Sequence, residues 1–290
     1  MSKEAQSMKT KRDAFHLLKT EGPGLVANLL RVLVALAFLF PFYWMVITSF
    51  KTYGETIVFP PTLWPQDFTW EGYRTLFQKM NLLAYARNSV VITLGILAIQ
   101  LVVMVPAAYA FALYDFPGKQ IMFALVLMAF MVPSQITFIT VYLMMADWGL
   151  LKTLLPQIIP FGANAFGIFL LRQSFMQIPR ELLESARLDN AGEVKIMTHV
   201  MLPLAKPTLV TVSIFSIISH WNSYFWPMVM TDTENIRPLT IAIEKMKDIE
   251  YGLNWNLIMA GNAVLVVPLL VIFVFASRKI IESFAYRGVK

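Results

Sequence analysis

Residues able to do chemistry are few in this chain, and most obvious chemistries fail on spacing. The three histidines, His16, His199 and His220, are scattered, with no HExxH pair, and cysteine is absent. That leaves no set of zinc ligands, no thiolate site and no disulfide. No GxSxG nucleophile elbow occurs. The stretch "GANAFGIF" at 162–169 has the two glycines of a phosphate loop, but Ile168 and Phe169 stand where the lysine and hydroxyl must be. Nothing there can hold β- and γ-phosphates with magnesium, so the small residues read as close helix packing. Polar chemistry collects instead in two stretches, "ELLESARLDNAGEVKIMTHVMLPLAKP" at 181–207 and "SHWNSYFWP" at 219–227.

The elements that must position them belong to a membrane. The 290 residues are 57% apolar and have a mean hydropathy of +0.61, well above soluble domains. A helix needs about 20 mostly apolar residues to cross the hydrocarbon layer. Six runs qualify: about 25–50, 88–114, 121–146, 154–171, 207–230 and 257–277. The first is interrupted only by Arg31, and the fourth is short and carries Pro156 and Pro160. The first run is also too long for a signal peptide and lacks a small-residue cleavage pattern.

Basic residues set the expected orientation, because Lys and Arg accumulate in cytoplasmic loops. With Arg31, near the start of the first run, counted with the N-terminus, sixteen of the 24 fall in the termini, the 115–120 turn and the 172–206 loop. An N-terminal segment 1–24, the 172–206 loop and a C-terminal tail 285–290 are therefore expected in the cytoplasm, around a six-span domain over 25–284. The net charge of +6 follows from that topology and does not imply nucleic-acid binding. Outside, "FTWEGYRTLFQKM" at 68–80 places Trp70, Tyr73 and Phe77 at helical spacing. It reads as a helix against the headgroups, with a docking surface for an external partner as the alternative.

Ion-coupled carriers keep acids or bases inside their spans. Here the central runs contain no Asp or Glu, and His220 is the one ionisable group well inside them apart from Arg31. An autonomous channel or ion-coupled secondary carrier remains the alternative class. If a chain with neither charge relay nor nucleotide site drives work, the energy must enter through a partner.

The interval 181–207 is where a partner could act. Pro179 suits a first helical turn, and Glu181 and Glu184 fall where the helix dipole favours acids. The spacing predicts a short helix over 179–188, a left-handed turn at Asn190 and a second helix over 193–201. Pro203 then redirects the chain into the fifth span. Such an elbow either projects into the cytoplasm or rests as an amphipathic hairpin on the membrane surface.

Glu184, Ser185, Ala186, Asp189, Leu202 and Pro203 stand in register with the EAA loop of ABC importer permeases. Ser185 replaces a small residue there and Asn190 replaces the glycine. "FPFYWMVITSFK", "AAYAFALYDFPGK", "FLLRQSFMQIPRELLESARLD" and "WNSYFWP" also resemble, in order, the carbohydrate-importer branch typified by maltose and glycerol-3-phosphate permeases. The resemblance implies an all-α polytopic protein of the type I importer permease (MetI-like) fold, with six transmembrane helices, in a bacterial inner membrane. It also implies a second homologous permease, two cytoplasmic ATPase subunits carrying ATP and magnesium, an extracytoplasmic solute-binding protein and a carbohydrate substrate. This chain would bind no cofactor and catalyse nothing. Glu184, Ser185, Ala186, Asp189, Asn190 and Pro203 would couple to an ATPase, Ala186 by close fit; Asp189 serves equally as a cap at the turn. Trp221 and Asn222 supply an aromatic face and an amide for a sugar, or an interfacial belt and a helix link.

Overall fold

The computed structural model describes residues 3–247 and 254–285, with the side chains of 24–246 and 254–275. The expected C-terminal tail lies, from residue 286, outside the described residues. Every regular element described is helical: α1 (Lys3–Ser49), α2 (Glu71–Lys79), α3 (Leu82–Leu113), α4 (Lys119–Met131), α5 (Ser134–Asp147), α6 (Ala165–Met176), α7 (Arg180–Leu188), α8 (Glu193–Leu204), α9 (Lys206–Trp221), α10 (Phe225–Met230), α11 (Leu239–Glu244) and α12 (Trp255–Ala285). The chain divides into two compact units, residues 1–73 with 255–263, and 74–254 with 264–290.

Three stretches are long and apolar enough to cross a bilayer alone: Gly24–Ser49, Leu82–Leu113 and Trp255–Phe275. Two more arise if bent pairs count as one span each, α4 with α5 across a 96° bend and α8 with α9 across 83°. The run expected at 121–146 is thus broken at Val132–Pro133, where proline biases its predecessor to extended backbone. The run expected at 154–171 is not one helix. Pro156 and Pro160 sit in two 3₁₀ turns, Leu155–Gln157 and Ile159–Phe161, and helix resumes at α6 under an Asn164 cap. Each proline removes a ladder donor, and the tighter turn tolerates that loss where an α-helix does not. The fifth run also ends early, at Trp221, with α10 as a separate piece.

In the first unit, α1 exposes Leu25, Leu29, Leu36 and Phe38 by more than half, as a helix solvated by lipid does. After it, Phe50, Phe68, Trp70 and Tyr73 stack with ring centroids 4.6–5.9 Å apart. The expected helix of the outer segment is present as α2, and two of its expected aromatics are spent in this cluster.

The second unit is organised by α3, which packs against α6 and α9. Close approach is made by glycine: a Cβ on Gly167 of α6 would stand 2.1 Å from Met104 Sδ and 2.9 Å from Val212 Cγ1. Met104, Ala108, Tyr109, Leu171, Phe175 and Val212 form the core between these helices, and Leu183, Ile196 and Met201 continue it into α7 and α8. Beyond α10, Asn88 donates to the carbonyls of Asn235 and Arg237 at 2.8 and 3.0 Å, pinning the 231–247 segment to the start of α3.

Candidate functional site

Two polar constellations stand out, both within the second unit. The first is the elbow. Its opening helix is α7, preceded by Pro179 in extended conformation. The turn falls at Asn190, whose φ of 55° makes it the one non-glycine with positive φ among the described residues. Asn190 N–H donates to Arg187 O and Ala191 N–H to Ala186 O, each at 3.0 Å. Those are the two hydrogen bonds of a Schellman ending, with Asn where glycine is usual. The expected αL turn is therefore present at the expected residue. Asp189 occupies the cap position through its backbone, its N–H bonded to Ser185 O at 3.1 Å.

The two faces of α7 differ. Leu183 is 4% exposed in the core and Ala186 is packed against it. Glu184, Ser185 and Asp189 are exposed, as are Leu188 at 84% and Val194 at 71%. Ala186, expected to give a partner close access, is half-buried, with one side packed against the core of its own bundle. The second limb is longer than expected. Met197–Met201 widens into a π turn in which Leu202 N–H reaches Met197 O, and Pro203 lies inside the helical limb. The wider turn relieves the clash and the missing donor that proline imposes on an α-helix. The chain is redirected at Ala205, two residues beyond the expected point.

Glu193 ties the elbow together. It accepts from the Tyr109 hydroxyl at 2.5 Å and pairs with Arg187 at 3.2 Å. The Tyr109 hydrogen bond, with smaller help from Tyr114 and Arg187, holds its carboxyl below the usual range despite partial desolvation. At the end of α6, Arg172 donates to Phe111 O at 3.0 Å and lies 4.3 Å from the Phe123 ring centroid. It thus satisfies a carbonyl that the last turn of α3 leaves open.

The second constellation is a cavity of ≈ 600 Å³ lined from α3 to α6 and by α9. Its floor is Gln100, 3% exposed in the middle of α3. Gln100 Oε1 accepts from Ser216 at 2.6 Å and Asn164 at 3.5 Å. Its Nε2 donates to Phe161 O at 2.9 Å and meets His220 Nε2 at 3.4 Å. An amide nitrogen only donates, so this contact makes Nε2 the acceptor and leaves the ring proton of His220 on Nδ1. Phe130, Phe161, Phe166 and Phe215 supply aromatic faces to the cavity, and Ser134, Ser219 and His220 supply polar groups. No Lys, Arg, Asp or Glu is among its lining side chains. Polar groups at span depth are stable facing a bundle interior or a wet cavity, not lipid.

Neither Trp221 nor Asn222 lines this cavity. Trp221 is 5% exposed and its indole N–H is spent on Leu265 O at 3.0 Å. Asn222 donates back to Ile218 O at 2.8 Å, closing its own helix. Of "SHWNSYFWP", the residues that face the cavity are Ser219 and His220. Gln100 and Asn164 escape a sequence reading because each is a single amide in an apolar run, and Ser216 because it is one of several hydroxyls along α9; an uncharged amide in mid-span was the available signal.

Known proteins match this arrangement over most of its length. The binding-protein-dependent transport system inner membrane component family matches residues 104–284. The arabinooligosaccharides transport system permease protein AraQ of Halalkalibacterium halodurans is 29% identical, over 89% of this chain and 93% of its own. The sn-glycerol-3-phosphate transport system permease protein UgpE of Brucella abortus is 27% identical, over 90% and 95%. Among solved structures, a chain of a bacterial ABC transporter involved in import of the acidic polysaccharide alginate superposes with a TM-score of 0.79 at 26% identity, covering 88% of this chain and 95% of that one. With well over half of the chain inside the family match, this protein belongs to the binding-protein-dependent transport system inner membrane components.

Proposed function

We propose that the chain is one of two related permease subunits of an ATP-binding-cassette importer, and that it moves a neutral carbohydrate into a bacterial cell. As a permease component it is not an enzyme. Relatives are named for arabinooligosaccharides and for glycerol 3-phosphate, one neutral and one anionic. The uncharged cavity favours the neutral class: a sugar ring lays its C–H face on phenyl rings and shares its hydroxyls with Ser219, Asn164 and His220. A phosphate or uronate there would be a buried charge without a partner.

In this reading α4 and α5 together are the third span, the stretch over about 154–171 is the fourth, and α9 carries the fifth, while α8 stays outside the membrane as the second limb of the elbow. Six spans then run through 25–284, with 1–24 and 285–290 in the cytoplasm. The elbow enters a cleft of one of two ATPase subunits, which hold ATP and magnesium, and an external binding protein delivers the solute. Glu184, Ser185 and Asp189 meet the ATPase, Asn190 holds the turn, Ala186 seats the helix on the bundle, and Pro203 belongs to the return limb. One observation carries this: α7 buries Leu183 and half-buries Ala186 while exposing Glu184, Ser185 and Leu188 on the other face.

The test is Glu184→Lys in the complex reconstituted in liposomes. Reversing a charge at a docked face costs about 2–5 kcal/mol, so solute moved per ATP should fall more than tenfold while the chain still inserts. Unchanged coupling would remove the docking role.

A further inference from the structure

Glu193 opens α8, yet its carboxylate is engaged by two other elements: Tyr109 of α3 at 2.5 Å through Oε2 and Arg187 of α7 at 3.2 Å through Oε1. One side chain therefore joins both limbs of the elbow to α3. The remaining seat of the elbow on the bundle is mainly apolar, made by Leu183, Ile196 and Met201. Apolar contacts are non-directional and can slide, whereas a short charge-assisted hydrogen bond fixes register. Tyr109 is itself held at that point. It is 5% exposed, and its ring stands edge-on to Phe175 of α6, with centroids 6.4 Å apart at 83°.

Gln100, the cavity floor, lies nine residues before Tyr109 on the same helix, about 13 Å along its axis. Between them Pro106 lacks the N–H that would bond Val102 O, which gives α3 a place to bend. We propose that Tyr109 and Glu193 are a positioning pair that carries displacement of the elbow into α3, and so to the cavity. This rests on the elbow being the ATPase docking element. Arg187 braces the carboxylate from the first limb, so both limbs move as one body. The ion pair at Arg187 is half-exposed, and the buried Tyr109 hydroxyl is the link that reaches the bundle.

The test uses the full complex in nanodiscs, with and without ATP and vanadate, so that no solute need be known. The chain has no cysteine, and Ser219→Cys therefore reports cavity access through its rate of reaction with a charged maleimide. Tyr109→Phe keeps the ring and its contact with Phe175 while removing the hydroxyl. It should assemble, keep basal ATP hydrolysis and melt within a few degrees of the parent, as the loss of one hydrogen bond allows, while the ATP-dependent change in labelling falls about tenfold. Glu193→Ala should match it, and the double variant should be no worse than Glu193→Ala alone. Glu193→Gln, which keeps an acceptor for Tyr109 and loses the Arg187 pair, should retain most of the change. A parent-like response in both Tyr109→Phe and Glu193→Ala overturns the proposal. If Glu184→Lys abolishes the response and Tyr109→Phe does not, docking stands and the positioning pair falls. If the parent complex shows no ATP-dependent change, both fall.

Discussion

Asn190 lets the elbow be tested at a single backbone angle. At φ 55° an ordinary L-residue pays about 1–2 kcal/mol for left-handed backbone, and a β-branched one lies at or above the top of that range. Asn190→Val must either bear that strain or leave the turn. Leaving it gives up the bonds from Asn190 N–H to Arg187 O and from Ala191 N–H to Ala186 O, each worth about 0.5–1.5 kcal/mol net. Both routes destabilise the closed elbow by about 2 kcal/mol, a roughly 30-fold rise in its open fraction at 1.4 kcal/mol per tenfold. Asn190→Gly removes the strain and adds backbone entropy to the unfolded chain, effects of about 0.5–1 kcal/mol that oppose each other. Hydrogen exchange reads this directly, because the Asn190 and Ala191 amides are the two donors of the turn. In the purified chain they should exchange roughly 30-fold faster in Asn190→Val and within a few-fold of the parent in Asn190→Gly. Solute uptake per ATP should follow the same order. If Asn190→Val exchanges at the parental rate and supports coupled uptake, the left-handed residue does not hold the elbow.

Gly167→Ala should impair folding of the bundle. The new methyl meets Val212 as well as the more flexible Met104, and overpacking of this kind costs about 1–3 kcal/mol, read as a lowered melting temperature in detergent. Glu193 gives a pH dependence: its folded pKa lies below the ordinary value, so its contribution is full above about pH 4.3 and is lost as pH falls through the lower folded value. The melting-temperature difference between the parent and Glu193→Gln should be flat from neutral pH to about pH 5 and shrink below about pH 4. Topology can be read in the cysteine-free chain with impermeant maleimides. Ser185→Cys should react only from the cytoplasmic side and Thr233→Cys only from outside; the reverse pattern would invert the orientation.

The elbow could be read from sequence because its determinants are local. A proline at the helix entry, a residue tolerant of φ > 0 and a spacing of a few positions define it without knowledge of the rest of the fold. Its inner face could not be read that way: that Ala186 packs against the core beside Leu183 follows only from the fold. The π turn at Met197–Met201 was likewise hidden, since it follows from fitting Pro203 into a helix that continues. The expected runs coincide with single helices where helices are long, whereas at Pro133, Pro156 and Pro160 a run still apolar enough for a membrane is divided among separate helical pieces. The cavity was invisible for a different reason. Asn164 and Ser216 lie 64 and 116 positions from Gln100, the residue they share, and no window of sequence contains all three.

On the proposed reading, the arrangement of Gln100 bears on what a solute would do there. All four of its hydrogen-bonding capacities are occupied, by Ser216, Asn164, Phe161 O and His220. An amide at span depth is tolerable because nothing on it is left open. Any motion that draws α3 away from α9 breaks the Ser216 and His220 contacts, and leaving a buried amide unsatisfied costs about 1–3 kcal/mol per group. A sugar hydroxyl both donates and accepts, so it can take either place. On that reading, separating the two helices costs less when a neutral sugar takes the places they vacate, so an elbow driving α3 would work against a load that such a solute makes smaller and an apolar molecule does not.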